Sequence, residues 1–300
     1  MMRYEIFPVS LRSNLLMRLP AFSLLLTHLL FATAALAAET APAQVGANHG
    51  IADHVVADHI SVSLLSEHDA LVPGTSAWFG LRLQHDAHWH SYWINPGDSG
   101  LPTRLTWQLP EGFSASEIAW PVPKRFNVGE LFNFGYDGDM VLPVQIEVPA
   151  TATGNTAHVE VQAKWLVCQE ECIPGKATLG MDLPLRAVSV GSTAADAIDA
   201  ARQRQAQHGL WKATAKLVDN RIEVTLRGAN LGDGHDVDAF AVDSKVIANA
   251  PPRIEQRDGA IVLSFAKSDY FTSTPHALHL LVLPPGAPAV DVRAFFPTSS

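Results

Sequence analysis

The chain of 300 residues contains two cysteines, and they lie four positions apart at Cys168 and Cys172. A disulfide needs Cα atoms roughly 4.4–6.8 Å apart, whereas residues four apart in an extended strand are separated by about 13 Å. The apolar, aromatic and β-branched run at 164–167 favours a strand. We therefore expect the backbone to leave this strand at Cys168 and to turn sharply before Cys172.

A disulfide across so short a loop stabilises a fold only a little. It removes unfolded-state entropy worth roughly 2 kcal/mol, against about 4.7 kcal/mol for a loop of 100 residues. Two thiols on one turn are better suited to exchange, because the second thiol can resolve a mixed disulfide formed by the first. The spacing therefore predicts that Cys168 and Cys172 form a redox-active pair.

Two carboxylates, Glu170 and Glu171, lie between the cysteines. Nearby negative charge disfavours a thiolate and raises the pKa of a thiol, which would make the pair more reducing. The alternative is that both side chains point into solvent, where salt screens them. The measured reduction potential distinguishes these cases, because a value as oxidising as that of DsbA would contradict tuning by the glutamates.

The first 37 residues have the composition of a secretory signal peptide. Arg12 and Arg18 precede the apolar run at 19–36, and Ala-Leu-Ala at 35–37 offers a cleavage pattern. An uncleaved membrane anchor is the alternative for this segment. Residues 38–53 show no hydrophobic period and are predicted to be a flexible leader. Export would place the protein in the periplasm, where disulfide chemistry persists.

The net charge and the absence of three sequence motifs argue against nucleic-acid binding, serine hydrolysis and nucleotide binding. The formal net charge is −9, and it is −11 without residues 1–37, which carry three arginines and one glutamate. An acidic surface argues against nucleic acid and anionic membranes as partners. The sequence contains no Gly-x-Ser-x-Gly elbow, Walker loop or dinucleotide fingerprint.

Alternation of apolar and polar residues predicts an all-β fold. Ile60, Val62 and Leu64 alternate with serines, which is typical of a strand with one buried face. Further strands are predicted at 78–83, 88–94, 104–109, 141–148, 157–167 and 177–184. Glycine and proline turns separate these segments, and such a pattern indicates a β-sandwich.

A helix-favouring segment at 194–203 separates this region from a second one. There, strands at 211–217 and 221–227 flank a hairpin turn at Asp219-Asn220. The second region has no cysteine and one of the seven tryptophans, so the chemistry is assigned to the first. We predict a redox domain at 54–187, a linker with a short helix at 188–209, and a second, smaller β-sandwich domain at 210–296.

Five motifs follow one another in the first region. They are HWHSYW at 88–93, NPGDSGLP at 95–102, AWPVP at 119–123, GYDG at 135–138 and WLVCQEECIP at 165–174. Together they resemble the periplasmic N-terminal region of the DsbD/ScsB-type thiol:disulfide interchange (protein-disulfide reductase) family. The resemblance is strong over 54–187, weaker over 188–296, and absent from the leader.

The resemblance implies an immunoglobulin-like β-sandwich that carries electrons and needs no cofactor or metal. In this family a membrane-embedded conductor reduces the N-terminal domain, which then reduces oxidised periplasmic thiol proteins. The processes served include cytochrome c biogenesis and copper tolerance. The sequence ends where the family's membrane segment would follow, so we expect a DsbD/ScsB-like electron donor either in a longer form of the same chain or as a separate protein.

The resemblance also implies roles for the two sulfurs. Cys172 would face the partner, and Cys168 would be the more buried sulfur, at a strand end behind Trp165. The spacing alone leaves open which cysteine is the nucleophile. The sequence also leaves open the downstream substrate, the role of the second domain and the oligomeric state.

In this family an aromatic-bearing loop covers the cysteines. The matching stretch here is 127–134, which makes Phe132 the predicted cap and Phe134 the second choice. Tyr92 and Trp165 are predicted to shape the pocket. Core packing is the alternative for Phe132, Phe134 and Tyr92.

Two other functions stay open from the residues. In a copper-binding periplasmic module, His85, His88 and His90 would cluster, with His88 and His90 on one strand face, and Met140 and the cysteines would add soft donors for Cu(I). A structural immunoglobulin-like interaction domain is the other alternative. It predicts a disulfide that resists mild reductant and ignores thioredoxin-like partners.

Overall fold

The structure, a computed structural model, describes residues 52–209, 211–228 and 236–297. The predicted signal peptide lies outside these ranges, and so does all of the predicted leader except its last two residues. The described residues form three sheets within one compact unit. The helix found in these ranges is nine residues long, and none there has the length and hydrophobicity that crossing a membrane requires.

The strands between residues 54 and 184 belong to the first two sheets. In chain order they are β1 His54–Ala57, β2 Ile60–Ser66, β3 Ser76–His85, β4 His90–Gly97, β5 Arg104–Gln108, β6 Ser114–Ala115, β7 Lys124–Val128, β8 Leu131–Asp137, β9 Asp139–Glu147, β10 Thr156–Cys168 and β11 Cys172–Pro184. They include all the strands predicted for this region. In β2 the predicted alternation buries Ile60, Val62 and Leu64 on one face.

The two sheets pack as a sandwich. One has the strand order β1-β2-β3-β9-β6, and the other has the order β11-β10-β4-β8-β7 with β5 paired to β10. A single hydrophobic core takes side chains from both, among them Phe79 and Leu142 from the first sheet and Val161 and Trp165 from the second. The predicted all-β, immunoglobulin-like fold is confirmed.

The hairpin of β10 and β11 carries both cysteines. Its strands are 13 residues long each and pair without a register shift from Thr156 opposite Pro184 to Cys168 opposite Cys172. The other edge of β10 is shared, because β5 pairs with residues 160–164 and β4 pairs at Cys168. The cysteines therefore lie at the hairpin end, where β4 replaces β5 beside β10.

Helix α1, Ala195–Gln203, lies within the predicted linker and covers part of the first sheet. Ile198 is fully buried and packs with Val141 of β9, and the Arg202 guanidinium lies 4.5 Å from the ring centroid of Trp78. The linker segment therefore packs against the sandwich as well as connecting it to the second β region.

The third sheet is formed by β12 Gln207–His208, β13 Trp211–Val218, β14 Arg221–Gly228, β15 Asp238–Ala241, β16 Arg253–Arg257, β17 Ala260–Ala266, β18 Ala277–Leu283 and β19 Val290–Phe295. Its strand order is β15-β18-β19-β13-β14-β17-β16, with β12 paired to β19. The predicted hairpin turn joins β13 to β14, and Asp219 there has a φ of 52°. The second predicted β region is thus one hydrogen-bonded sheet around its own core.

Side chains of the first region contact this third sheet directly. Phe240 packs at right angles to Phe134, with ring centroids 4.9 Å apart, and Trp93 lies 6.4 Å from both rings. The Asn95 side-chain amide donates to the Ala241 carbonyl at 2.8 Å. Arg125 also reaches across, to Asp238 at 2.7 Å. The domain boundaries predicted from the sequence stay a prediction.

Candidate redox-active site

Cys168 and Cys172 are joined by a disulfide at the end of the β10–β11 hairpin. They are direct cross-strand partners with Cα atoms 4.2 Å apart, so the backbone leaves the strand where the spacing predicted. Three residues form the connecting loop, in which the Gln169 N–H donates to the Glu171 carbonyl at 3.1 Å. The local fold alone therefore brings the two sulfurs together.

The two cysteines differ in accessibility. Cys168 is 2% exposed, because β11 and β4 lie on either side of it in the sheet. Cys172 begins the edge strand β11 and is exposed. A partner's sulfur can therefore approach Cys172 and not Cys168. This difference agrees with the roles that the resemblance implies, which stay a prediction.

The strand register sets which side chains share a face with the disulfide. Residues directly opposite each other in paired strands point to the same face, and successive residues alternate. Cys168 is opposite His90, so His90 and Tyr92 of β4 lie on the same side of the sheet as both sulfurs. We call this side the disulfide face. The other side is the core face, where Trp165 and Val167 are buried.

Tyr92 contacts the accessible sulfur. Its hydroxyl lies 3.8 Å from the Cys172 Sγ, and its ring is buried. Burial raises the pKa of the Tyr92 hydroxyl, and a hydrogen bond with Ser99 opposes this shift only in part. The phenol is therefore neutral at physiological pH and can donate a hydrogen bond to a Cys172 thiolate.

The NPGDSG motif forms a loop that covers Tyr92. A Cβ on Gly100, whose φ is 94°, would overlap the Tyr92 ring, so only glycine lets the loop lie on it. The N–H and the hydroxyl of Ser99 both donate to Asn133 Oδ1 at 3.0 Å. Asp98 accepts the Phe132 N–H at 2.8 Å and thereby ties the loop to β8. The motif therefore positions an aromatic ring under the redox pair.

Two further residues lie on the disulfide face: Phe126, which was not predicted as a site residue, and His90, which was predicted only as a copper ligand. His90 stacks on Phe126 with ring centroids 4.5 Å apart and planes 12° apart, and it meets the Tyr92 ring edge-on at 5.3 Å. Phe126 reaches His90 from β7 across β8, where Gly135 has no side chain to separate the rings. Phe126 lies one position before the stretch matched to the family's covering loop. Only the strand register shows that Phe126, and not Phe132 or Phe134, faces the disulfide.

The two residues predicted as the cap lie on the face of β8 away from the disulfide. Gly135 is opposite Tyr92 and faces the disulfide, so Phe134 and Phe132, at odd offsets from it, point to the other side of β8. Phe134 is 1% exposed and packs on Phe240. The Phe132 ring lies 6.0 Å from the Arg125 guanidinium, near the same cluster. Phe134 is therefore packed in the core, whereas Phe132 is half-buried, and its role as a cap stays a prediction.

Trp165 also lies away from the predicted pocket. It is three residues before Cys168 in a regular strand, which places the two side chains on opposite faces. Its ring lies over Gly175, its cross-strand partner, where a Cβ would overlap the indole. Trp165 therefore packs inside the sandwich, on the face of the sheet opposite the disulfide.

Glu170 and Glu171 are exposed in the loop between the cysteines. Solvent surrounds both side chains, which favours screening of their charge. The predicted tuning of the cysteines by these carboxylates stays a prediction.

The histidines proposed for copper do not assemble. His88 lies in the turn before β4 with a φ of 72°, so it does not share a strand face with His90. His85 bonds to the Gly138 carbonyl at 2.8 Å, and the Met140 sulfur accepts from Arg204 at 3.5 Å. Within the described ranges, no group of three or more His, Cys, Asp or Glu side chains could hold a metal ion.

A family model supports the thiol:disulfide interchange interpretation. The model for the N-terminal region of the thiol:disulfide interchange protein DsbD matches residues 61–183, which span both sheets of the sandwich and the two cysteines. The match supports a DsbD-type N-terminal domain over residues 61–183. The disulfide site described above therefore lies in a thiol:disulfide interchange domain of the DsbD type.

A solved structure resembles this chain over most of its length. The N-terminal periplasmic domain of ScsB from Proteus mirabilis matches with a TM-score of 0.62 and 16% identity, covering 81% of this chain and 97% of that one. At this identity the match shows the fold alone. A protein of unknown function from Porphyromonas gingivalis W83 matches at 13% identity over 79% of this chain and 99% of its own, with a TM-score of 0.23. Comparison with curated proteins gives no match.

Proposed function

We propose that this protein carries reducing equivalents by thiol–disulfide exchange through Cys168 and Cys172. A DsbD/ScsB-like membrane conductor would reduce the pair, and the reduced pair would reduce oxidised periplasmic proteins. The proposal makes the protein a component of a protein-disulfide reductase system located in the periplasm. The domain division of 54–187, 188–209 and 210–296 belongs to the same proposal.

The accessibility of the two sulfurs carries the proposal. Exchange begins when a thiolate attacks a partner's disulfide, and it ends when the second thiol resolves the mixed disulfide. The exposed Cys172 is suited to the first step. The buried Cys168, directly across the hairpin, is suited to the second, because no partner sulfur can compete for it.

An apolar rim on the disulfide face supports docking of a protein partner. Val128 and Leu131 are cross-strand partners in the β7–β8 hairpin and, by register with Phe126, they lie on the disulfide face. They are 37% and 44% exposed, and Leu101, in the loop that covers Tyr92, is 63% exposed. Exposed apolar side chains of this kind commonly mark protein interaction sites.

Trapping tests the function. A Cys168→Ser variant expressed in the periplasm lacks the resolving thiol, so partners attacked by Cys172 are expected to stay covalently attached. The complexes are purified after alkylation, and the attached proteins are identified by mass spectrometry. These proteins should be ones that form cysteine disulfides, and the complexes should dissociate with dithiothreitol.

The matched controls are Cys172→Ser, which should trap little because Cys168 is buried, and the double variant, which should trap nothing. Complexes that form equally with Cys168→Ser and Cys172→Ser would contradict the proposed roles. The absence of any reductant-sensitive complex would contradict the function itself.

The position of Phe126 predicts a protective role. Phe126→Ala removes the ring stacked on His90 beside Cys168, and small oxidants then reach the sulfurs more easily. We expect the reduced protein to re-oxidise in air roughly threefold faster or more, since access limits the reaction. Phe132→Ala is the matched control, because it removes the same side chain from the same hairpin on the other face. Equal oxidation rates in the two variants, measured by thiol titration, would rule out shielding by Phe126.

A further inference from the structure

His90 lies directly across the sheet from the buried cysteine. It is the residue of β4 that pairs with β10, and its partner is Cys168. Opposite residues in neighbouring strands have Cβ atoms about 4.5–5.5 Å apart, close enough for an imidazole to contact a thiol. His90 is 4% exposed and is held between Phe126 and Tyr92. The imidazole is therefore held on the disulfide face, on the residue paired with the cysteine that must resolve the mixed disulfide.

One nitrogen of this imidazole is buried without a partner. No described residue forms a hydrogen bond with His90 Nε2. Leaving a buried polar atom unpaired is unfavourable. In the oxidised protein the neighbouring sulfur has no proton to donate, whereas reduction creates an S–H group at Cys168. The reduced state therefore supplies the hydrogen-bond partner that the oxidised state lacks.

The groups around His90 keep the ring neutral. Burial lowers its pKa, and the nearby His85 lowers it further. Asp137, the residue paired with His90 on β8, raises the pKa of His90. That carboxylate is ion-paired with Lys124 of β7, which offsets part of its charge. The Tyr92 ring, on its own strand, also contacts the imidazole, and the paired residue on β10 is Cys168. A neutral imidazole can accept a proton, and a buried one next to a thiol is placed to do so.

We propose that His90 is the acid–base group that serves Cys168 during resolution, an inference that rests on the proposed function. The Cys168 thiol gives its proton to His90 as its sulfur attacks the Cys172 sulfur of the mixed disulfide. The Cys168–Cys172 bond forms, the bond between Cys172 and the partner breaks, and the partner leaves as a thiolate that takes up a proton. Two electrons pass from the protein thiols to the partner.

The reverse direction uses the same group. When the pair is reduced, the donor thiolate attacks Cys172, and Cys168 becomes the leaving sulfur. His90 takes up a proton from solvent and donates it to the departing Cys168 thiolate, which leaves the imidazole neutral again. The same imidazole thus assists both oxidation and reduction of the pair.

Two-phase kinetics with the chromogenic disulfide DTNB test the proposal on the whole protein. The reduced protein releases a first coloured thiolate when Cys172 attacks the reagent, and a second when Cys168 resolves the adduct. In His90→Phe, which keeps an aromatic ring between Phe126 and Tyr92, we expect the second phase to slow about tenfold or more at pH 7 while the first is unchanged. His90→Gln, which keeps a polar side chain without a base, should behave in the same way.

The pH profile separates proton transfer from a structural role. In the wild type the second phase should be nearly independent of pH above the lowered pKa of His90 and should slow below it. In both His90 variants the rate constant of the second phase should rise about tenfold per pH unit, up to the ordinary thiol pKa near 8.5. His88→Asn, an exposed left-handed position that asparagine tolerates, is the control and should match the wild type.

A second phase within twofold of the wild type in both His90 variants would overturn the proposal. So would equal slowing of both phases, which would indicate general disturbance of the site. The outcome is independent of trapping, because DTNB reports the chemistry of the pair whether or not a periplasmic partner exists.

Discussion

A Gly135→Ala variant is expected to lose about 3 kcal/mol or more of unfolding free energy, because overlap with backbone cannot be relieved by a rotamer change. A Cβ at this position would overlap the carbonyl oxygen of Ser91 and lie 3.1 Å from the Tyr92 Cα. To make room, β8 would have to move away from β4. Urea denaturation followed by far-UV circular dichroism measures the loss.

Gly191→Ala is the matched control. Its φ is outside the left-handed region, and its Cβ would meet only the Ala195 Cβ at 3.7 Å, which is ordinary contact. We expect a change within about 0.5 kcal/mol, as for most substitutions away from special positions. If the two alanine variants were equally stable, the close approach of β4 and β8 at Gly135 would be disproved.

An Arg125→Met variant is expected to lose about 2–4 kcal/mol, near the lower end for breaking a buried ion pair, since its partner is partly solvated. The Arg125 side chain is 10% exposed and bonds to Asp238 at 2.7 Å and to the Ala239 carbonyl at 3.0 Å. Its guanidinium also lies 4.7 Å from the Phe240 ring and 4.9 Å from the Phe134 ring. Because these contacts join β7 to the third sheet, limited proteolysis should also cut the variant faster than the wild type.

Arg82→Met provides the comparison for Arg125→Met. Arg82 forms a two-point pair with Asp139, but the two side chains are 36% and 49% exposed. Exposed pairs contribute about 0–1 kcal/mol. An Arg125 variant no less stable than the Arg82 variant would show that the contacts with the third sheet do not stabilise the fold.

The fold could be predicted because its signals are local. Alternating hydrophobicity in segments such as β2 and the turn signals between them depend on neighbours in sequence. The same holds for the disulfide, since four residues of spacing between Cys168 and Cys172 leave the chain little choice but a tight turn.

The surroundings of the disulfide could not be predicted in the same way. Whether Phe126 or Phe132 faces the sulfurs depends on the register of β7 against β8, and a shift of one residue exchanges the two faces. The importance of His90 depends on its pairing with Cys168, 78 positions later in the chain. Sequence periodicity fixes the two faces of a strand, but it does not say which face meets the site.

The in-register ladder of β10 and β11 has a consequence for how partners recognise the protein. Its thirteen residue pairs continue from the cysteines to Pro184. Reduction of the S–S bond therefore removes one cross-link from the end of a hairpin that backbone hydrogen bonds already hold together. Oxidised and reduced molecules should then be nearly superimposable. An electron donor and an electron acceptor cannot distinguish them by overall shape, and each must recognise the state of the two sulfurs at the exposed tip itself.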